Sequence, residues 1–448
     1  MDYRALAKDI ILMAKKRGVK NSEVLIIKEE TKEVSIREGK VDLLSENISI
    51  NSRIKLIKEG KSALISLNNF DKNKLTRAIE NSLVYMEKQK PDKAILLPPE
   101  NALGSVSGEL FIEDKEEPSI EEIKRKLVKM EKASINFDKK VKYSDGAFYN
   151  FSKRKIYLAN SRGFYGSFSK TEHSFYISVV AEDRGERRSG AFWSENPFYR
   201  ALESEDLLGK IAAEKAIKKL HPKKPKTGEY PVVFDNITAS SLVEVLSELL
   251  SGDNVYRKNT IFAEMQGKIV ANSVVTIIDN PLVKKLSGSR PFDGEGVFSR
   301  EKVIIDRGKL ENFLTNTYYA KKINHSLTSN ASFSVNTLNG IVPTNFFIKA
   351  GEVDESELIK SIKKGIYITG LFSTDSINPV TGDFSWGAEG FLIEKGELTY
   401  PISEFTIAGN ILDLLKNITE ICDNIDFNRG EIASPSFLVR KGITIGGK

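Results

Sequence analysis

The chain contains very little cysteine and histidine, which limits the chemistry that it can perform. Cys422 is the single cysteine among 448 residues, so an intrachain disulfide and a cysteine-rich zinc cluster are excluded. The three histidines, His173, His221 and His325, are far apart in sequence, and no two have the i,i+4 spacing with which one helix presents two zinc ligands. A lone cysteine in "NITEICDNIDF" is more often packed than reactive, so we expect Cys422 to be a buried side chain.

Long apolar runs and a large charge surplus are also missing. No segment approaches the roughly 20 apolar residues that a membrane span needs. The N-terminal stretch "MDYRALAKDIILMAKKRGVK" has charges among its apolar positions, which predicts an amphipathic helix instead of a signal peptide. The net charge of +6 is small against 67 basic and 61 acidic residues, and no nucleic-acid recognition motif is present. We therefore expect a cytoplasmic protein, and nothing in the sequence supports binding to membranes or nucleic acid.

Composition shifts divide the chain into three predicted units: an N-terminal α+β unit at 1–105, a middle helix and antiparallel-sheet unit at 106–225, and a C-terminal domain at 226–448. The stretch "KQKPDKAILLPPENALGSVSGELFIEDKEEP", rich in proline and glycine, predicts the first linker, and "HPKKPKTGEYP" predicts the second. Strands and helices are segregated and do not alternate regularly. This pattern is typical of an α+β fold with mostly antiparallel sheets, an N-terminal α/β part and a larger, β-rich C-terminal domain.

Hydrophobic spacing predicts several individual elements. Residues 23–67 alternate apolar and polar positions between glycine turns, which predicts an antiparallel meander. Ser119 precedes a helical pattern and Glu122 lies three residues later, the spacing of an N-cap with a capping box. In "HSFYISVV" the alternation places His173 and Phe175 on one face of a strand.

Motifs for nucleophilic and nucleotide chemistry are absent. No Gly-x-Ser-x-Gly elbow precedes a helix, and no phosphate-binding glycine loop follows a strand. The stretch "FDGEGVFSRE" carries Asp293, Glu295 and Glu301 among glycines, but it lacks the Asp-x-Asp-x-Asp-Gly pattern of a calcium loop. On its own it predicts a turn between strands.

The stretch "SLVEVLSELLSGDNVYRK", residues 241–258, has the pattern of a helix that runs into a Gly-Asp turn. Glu244 and Glu248 are four residues apart, so they project from one helix face, while the apolar residues supply a buried remainder. We expect the helix to end at about Leu250 or Ser251, with Gly252 as the left-handed residue that follows. Residue chemistry alone explains this stretch as an amphipathic helix with a narrow polar face.

Three stretches in the C-terminal unit resemble the TldD/PmbA family, and in particular its PmbA branch, also called TldE. They are "SGDNVYRKNT" (251–260), "SRPFDGEGVFSREKVIIDRGKLENFLTNTYYAKK" (289–322) and "INPVTGDFSWGAEGFLIEKGELTYPISEFTIAGNILDLLKNI" (377–418). The last is the most specific, because Asn-Pro-Val-Thr-Gly-Asp followed by Gly-Ala and "IAGN" is an unusual combination. The resemblance covers nearly all of the third unit and is weaker in the first two.

The resemblance gives the helix at 241–258 a second meaning. In the TldD branch this helix carries His-Glu-x-x-x-His, whose histidines hold zinc together with a late cysteine, and whose glutamate is the general base. Here Val243 and Glu248 stand at the histidine positions, Glu244 matches the general base, and the tail after Cys422 has no cysteine. The resemblance therefore implies the branch without the zinc motif, with no catalytic residue and no cofactor in this chain.

The function implied is that of a non-catalytic subunit in a cytosolic TldD–TldE metallopeptidase that cleaves unfolded or short peptides, with zinc in the TldD-type partner. We expect the isolated chain to form a homodimer through apolar strands such as "GFLIEKGELTYPI". The family label "modulator of DNA gyrase" has no counterpart in a recognisable gyrase-binding feature. Two alternatives stay open: a self-sufficient metallopeptidase with zinc on His173, His221 and His325, and a peptide-binding or regulatory homodimer without catalysis.

Overall fold

The computed structural model describes residues 2–106 and 108–447 as a combination of α-helices and β-strands. The helices are α1 (Tyr3–Lys16), α2 (Lys72–Glu87), α3 (Ile120–Ile135), α4 (Glu205–Lys218), α5 (Asn236–Leu249), α6 (Gly252–Tyr256), α7 (Thr317–Lys322), α8 (Glu355–Lys360) and α9 (Ile411–Lys416). The N-terminal half contains strands β1 (Asn21–Arg37), β2 (Lys40–Lys58), β3 (Lys61–Leu67), β4 (Val141–Asn160), β5 (Tyr165–Asp183) and β6 (Glu186–Asn196). The C-terminal half contains β7 (Gly228–Glu229), β8 (Val232–Phe234), β9 (Ile277–Asp279), β10 (Lys302–Asp306), β11 (Lys309–Leu310), β12 (Phe346–Ile348), β13 (Lys364–Phe372), β14 (Asp383–Glu394), β15 (Glu397–Asn410), β16 (Ile418–Ile421), β17 (Ile432–Ala433), β18 (Phe437–Val439) and β19 (Ile443–Gly446).

The first six strands form one antiparallel sheet in the order β3-β2-β1-β4-β5-β6. The meander predicted for residues 23–67 is confirmed as β1, β2 and β3. Strand β1 pairs with β2 on one side and with β4 on the other, from Glu23↔Asn160 to Ile36↔Ala147. The sheet therefore continues across the predicted boundary at residue 105.

Helices cover one face of this sheet. Helices α1 and α2 pack on the β1–β3 part, and α3 and α4 pack on the β4–β6 part, each pair with its own apolar core. The predicted cap of α3 is confirmed, because the Ser119 side chain accepts a hydrogen bond from the Glu122 N–H. The Glu122 carboxylate accepts a hydrogen bond from the Tyr199 hydroxyl. His173 and Phe175 do share one buried strand face.

The C-terminal half contains an eight-stranded sheet in the order β16-β18-β8-β13-β14-β15-β19-β7 and a five-stranded sheet in the order β11-β10-β9-β12-β17. Helix α5 lies between them, in contact with β8 and β13 of the first and with β12 and β17 of the second. Most strand pairs are antiparallel, with β8–β13 and β12–β17 parallel. The predicted α+β class with mostly antiparallel sheets is confirmed.

The stretch "GFLIEKGELTYPI" spans the hairpin of β14 and β15, and several of its aliphatic side chains face the core. Leu392, Ile393 and Ile402 are buried within the chain, where they pack against the C-terminal sheet and its helices. These side chains are therefore unavailable for a contact between subunits. Exposed aliphatic side chains instead occur together on the β1–β2 hairpin, at Val41, Leu43, Leu44 and Ile48.

The stretch "FDGEGVFSRE" is more than a turn, because it carries buried charges that meet the N-terminal sheet. Glu295 forms a buried ion pair with Lys55 of β2 at 3.1 Å. Next to it, Arg53 pairs with Glu23 at 3.0 Å and donates a hydrogen bond to the Gly294 carbonyl. Breaking such a buried pair on one side typically costs about 3–5 kcal/mol, since the other charge stays buried and uncompensated. The Lys55–Glu295 ion pair and the hydrogen bond from Arg53 to Gly294 therefore join the two halves of the molecule.

None of the helices found in residues 2–106 and 108–447 has both the length and the apolar content that crossing a bilayer requires.

Candidate functional site

Helix α5 is capped by Asp235, whose carboxylate accepts hydrogen bonds from the N–H and the hydroxyl of Thr238 at 2.7 Å. The helix ends at Leu249 with Leu250 as its C-cap, so the predicted end is confirmed. The predicted role of Gly252 is wrong, because Gly252 begins α6 and does not have a left-handed φ. The glycine favours close approach there, because an added Cβ would lie only 3.1 Å from the Leu314 carbonyl oxygen.

Glu244 and Glu248 lie on the same exposed face of α5, as predicted. Both line a cavity of about 510 Å³, the acidic cavity, whose opposite wall includes Asp375. Val243 points away from this cavity into the core and is 0% exposed. The polar side of the helix therefore presents carboxylates, while position 243 serves packing.

The wall of the acidic cavity is a turn built from the residues that carry the resemblance. The Asn378 side-chain oxygen accepts hydrogen bonds from the N–H groups of Val380 and Thr381. Asn410 of "IAGN" donates to the Thr381 carbonyl and to the Asp383 carboxylate, both at 2.8 Å. The unusual sequence combination thus closes one turn beside the two glutamates of α5.

The residues around the acidic cavity do not fit the zinc site of the TldD branch. Valine has no metal-binding atom, so Val243 cannot replace a histidine ligand. Cys422 is buried in another apolar cluster, with Leu438 and Leu358, and burial raises the pKa of its thiol to about 12. The expectation that Cys422 is packed is confirmed. Within residues 2–106 and 108–447, no group of three or more His, Cys, Asp or Glu side chains is arranged to hold a metal ion.

The three histidines occupy separate environments. His173 is buried in the N-terminal sheet, where its Nδ1 lies 2.8 Å from the Tyr149 hydroxyl, and burial lowers its pKa to about 4. His221 is exposed and pairs with Asp183 at 3.0 Å. His325 packs on the Phe313 ring, with its Nδ1 2.8 Å from the Ser326 carbonyl oxygen. The structure does not bring them together.

Sequence reasoning missed a second group of polar residues near Glu244. Glu244 also lines a cavity of about 360 Å³ together with Trp193, Arg429 and Glu431. Nearby, burial and then the charge of Glu172 raise the pKa of Glu195 to about 7. These residues come from β5, β6 and the 426–432 segment, and no local pattern links such distant positions.

Comparison with solved structures defines the class of protein to which this fold belongs. A Bacteroides thetaiotaomicron protein labelled as a modulator of DNA gyrase matches over 100% of both chains with a TM-score of 0.91 and 25% identity. TldE from Thermococcus kodakarensis shares the fold, with a TM-score of 0.84 over 99% of this chain and 100% of that chain, at 22% identity. The chain has the TldE-type α+β fold.

Sequence comparison identifies the family. Residues 227–447 match the profile described as the PmbA/TldA metallopeptidase C-terminal domain, and residues 113–220 match its central domain. Metalloprotease PmbA of Escherichia coli O157:H7 is 28% identical over 93% of this chain and 90% of its own length. A PmbA homolog of Buchnera aphidicola subsp. Acyrthosiphon pisum is 30% identical over 72% of this chain and 70% of its own length. The chain belongs to the PmbA/TldD metallopeptidase family.

Proposed function

We propose that this chain is the non-catalytic, TldE-type subunit of a metallopeptidase that cleaves unfolded or short peptides. A TldD-type subunit would supply the zinc ion and the general base. This chain would supply part of the peptide-binding surface and would stabilise the assembled chamber. The family assignment and the metalloprotease names of the relatives support the reaction class.

The observation that carries the non-catalytic role is the chemistry of α5. Val243, which the resemblance sets at the first histidine position, lies in the core, and Glu248, which it sets at the second, lines the acidic cavity. Catalytic zinc sites commonly use about three protein ligands and an open position for water. A bound metal lowers the pKa of its water molecule. Without such a metal, Glu244 would have no acidified water to deprotonate and could not generate a nucleophile.

The exposed hairpin supports assembly with a second subunit. We call residues 40–48 the arm: they run along β2 with exposed side chains and include Val41, Leu43, Leu44 and Ile48. Exposed aliphatic residues concentrated on one hairpin are typical of protein contacts. We propose that the arm is part of the contact with the TldD-type subunit, and with a second copy of this chain when the partner is absent.

The proposal is tested by metal analysis and peptidase assays on the purified chain, with and without a TldD-type partner. We expect no stoichiometric zinc and no cleavage of an unfolded peptide substrate by this chain alone. Adding the partner should produce cleavage that a chelator abolishes. Glu244→Gln in this chain should leave most of that activity intact, whereas the corresponding change in the partner's motif should abolish it.

Two results would contradict the proposal. One is about one zinc ion per isolated chain with peptidase activity that Glu244→Gln abolishes, which would make the chain a self-sufficient enzyme. The other is peptide binding by a homodimer whose mixture with the TldD-type subunit neither assembles nor cleaves, which would favour the regulatory alternative. Glu248→Gln in this chain is the matched control for Glu244→Gln, because it removes an equal charge from the same cavity.

A further inference from the structure

A cavity of about 420 Å³ lies between the N-terminal sheet and the C-terminal half, on the sheet face opposite the helices; we call it the sheet cavity. Its volume is within the range of about 300–1,000 Å³ that is common for ligand sites. One wall consists of strands β2, β1, β4 and β5. The other consists of segments 288–290 and 332–336 with Val342 and Glu431.

The strand register arranges the sheet wall in two neighbouring rows. One row is charged, because Glu29 pairs with Arg154 and Arg154 pairs with Lys170 across adjacent strands. The other row runs across the same strands as Asn51, Ile27, Ile156 and Phe168. Apolar and charged surfaces therefore lie side by side, two residues apart along each strand.

The opposite wall is held rigidly against the sheet. Arg53 donates hydrogen bonds to the carbonyl oxygens of Ser332 and Ser334, at 3.1 and 2.7 Å. The Ser66 hydroxyl donates to the Val335 carbonyl at 2.6 Å. These bonds link β2 and β3 to the 332–336 segment, so the cavity is preformed.

Arg290 carries a positive charge in this cavity, where its Cζ lies 5.8 Å from the centre of the Phe333 ring and most of its N–H donors have no partner among the described residues. It is 7% exposed, and its Nε has no hydrogen-bond partner. Among the described residues we find one hydrogen bond from its side chain, from Nη2 to the Ser329 carbonyl, and no carboxylate at ion-pair distance. A guanidinium has several further N–H donors. A buried cation with unused donors is costly unless an anion compensates it.

The other charges of the cavity are already paired. Arg154 pairs with Glu29 at 2.6 Å, and Lys170 pairs with Glu431 at 3.2 Å. Asp293 interacts electrostatically with Arg290, but its carboxylate accepts hydrogen bonds from backbone N–H groups, and burial and Glu295 raise its pKa to about 7. The surplus positive charge of the cavity therefore comes from Arg290.

We infer that the sheet cavity binds the terminal carboxylate of a peptide whose last side chain is apolar. Arg290 would hold the carboxylate in the bidentate manner that suits a guanidinium, and the row of Ile27, Ile156 and Phe168 would take the side chain. A C-terminal residue carries both groups on one Cα, and Arg290 and the apolar row line the same cavity. The inference rests on the proposed peptide-handling function and adds a site and a substrate feature to it.

The test uses the full chain alone and a fluorescein-labelled peptide ending in Ala-Leu, with dissociation constants measured by fluorescence polarisation. The free-acid peptide should bind about tenfold or more tightly than the same peptide with a C-terminal amide, since the amide lacks the charge. Equal affinities would overturn the inference. An amidated peptide with an internal Glu that binds as tightly as the free acid would overturn the assignment to the terminus.

Variants then test whether Arg290 binds the peptide carboxylate. Arg290→Gln should abolish the preference for the free acid. Arg290→Lys keeps the charge but lacks the planar guanidinium that donates two hydrogen bonds to one carboxylate, so it should retain part of the preference. Arg300→Gln, which removes an exposed arginine outside the cavity lining, should keep the full preference. Circular dichroism checks folding, and the wild-type comparison of acid with amide stands even if Arg290→Gln does not fold. A preference that survives in folded Arg290→Gln would overturn the role of Arg290.

The two proposals fail in different ways. If the chain alone shows no preference for the carboxylate while its mixture with a TldD-type partner cleaves peptides, the cavity inference fails and the proposed function stands. If the preference is present but no partner restores cleavage, the cavity inference stands and the proposed function fails.

Discussion

At the residue scale, neighbouring positions of α5 have opposite roles. Val243 packs in the core between two sheets, whereas Glu244 and Glu248 face a cavity. Packing alone accounts for the valine, since it fills a position that is 0% exposed. Changing it to histidine would bury a polar ring in an apolar core, so Val243→His alone would not create a zinc site.

His173 yields a prediction on pH dependence. Burial lowers its pKa in the folded chain to about 4, below the ordinary value of 6.5. Below pH 6.5 the unfolded chain binds a proton that the folded chain does not, so this contribution to stability falls as the pH drops from about 6.5 to about 4. His173→Gln should be less stable than wild type near pH 7.5, and the difference should shrink by about 1–2 kcal/mol at pH 5. Urea unfolding of both proteins at several pH values measures this difference in the free energy of unfolding.

The matched control for His173 is Tyr149→Phe. It removes the hydroxyl that lies 2.8 Å from His173 Nδ1 but keeps the titrating ring. Its free-energy difference from wild type should change much less between pH 7.5 and pH 5. A His173→Gln difference that stays constant with pH would contradict the assignment.

At the element scale, the N-terminal sheet and its helices approach each other closely at one glycine. Gly190 of β6 lies against α4, and an added Cβ would lie 2.3 Å from the Ala212 carbonyl oxygen and 2.3 Å from the Ala216 nitrogen. Both are helix backbone atoms, which cannot move aside as a flexible side chain can. The helix therefore packs on the sheet at a distance that only glycine permits.

Gly190→Ala should destabilise the protein by about 1–3 kcal/mol or more, because overpacking must displace α4 from the sheet. Chemical denaturation followed by circular dichroism measures the loss. Gly387→Ala is the matched control, since that strand glycine has its nearest neighbour, the Phe372 Cβ, at 3.4 Å. Equal stabilities of the two variants would show that α4 does not pack on β6 as described.

At the scale of the whole molecule, buried ion pairs and the sheet cavity lie where the two halves meet, and the arm extends from the other part of β2. Glu295 and Lys55 are 240 residues apart in sequence and form one of these pairs. The central part of the sheet is therefore committed to contacts within the chain. The arm keeps its aliphatic side chains exposed and is the surface that we propose for the contact with another subunit.

The isolated chain should be a dimer at micromolar concentration, with an interface that buries more than about 1,000 Å². Leu44→Glu combined with Ile48→Glu should convert it to a monomer with an unchanged circular dichroism spectrum, because charges replace exposed aliphatic contacts of the arm. Light scattering coupled to size exclusion measures the mass. The control pair Leu12→Glu and Val84→Glu changes exposed aliphatic residues on α1 and α2 and should stay dimeric. A monomeric wild type, or a dimeric arm variant, would contradict this role of the arm.

The long strands and amphipathic helices could be predicted from the sequence, because many alternating positions report which side of an element is buried. This holds for β1 to β3, for the cap at Ser119 and for the shared face of Glu244 and Glu248. Short strands such as β9 and β12 contain too few positions to show a period. The role of Gly252 was missed because local sequence shows a glycine without showing the Leu314 carbonyl against it.

The sequence by itself determined the α+β class and the family, since these depend on residue identity and local period. Only the tertiary structure decided that Asp293 and Glu295 are buried, that Leu392, Ile393 and Ile402 pack inside the chain, and that Arg290 faces strands more than a hundred residues earlier in the chain. The physical reason is that hydrophobic periodicity reports which side of an element is exposed to solvent and which side is buried. It does not record which distant element lies opposite, and burial of charge, cavities and ion pairs all depend on that partner.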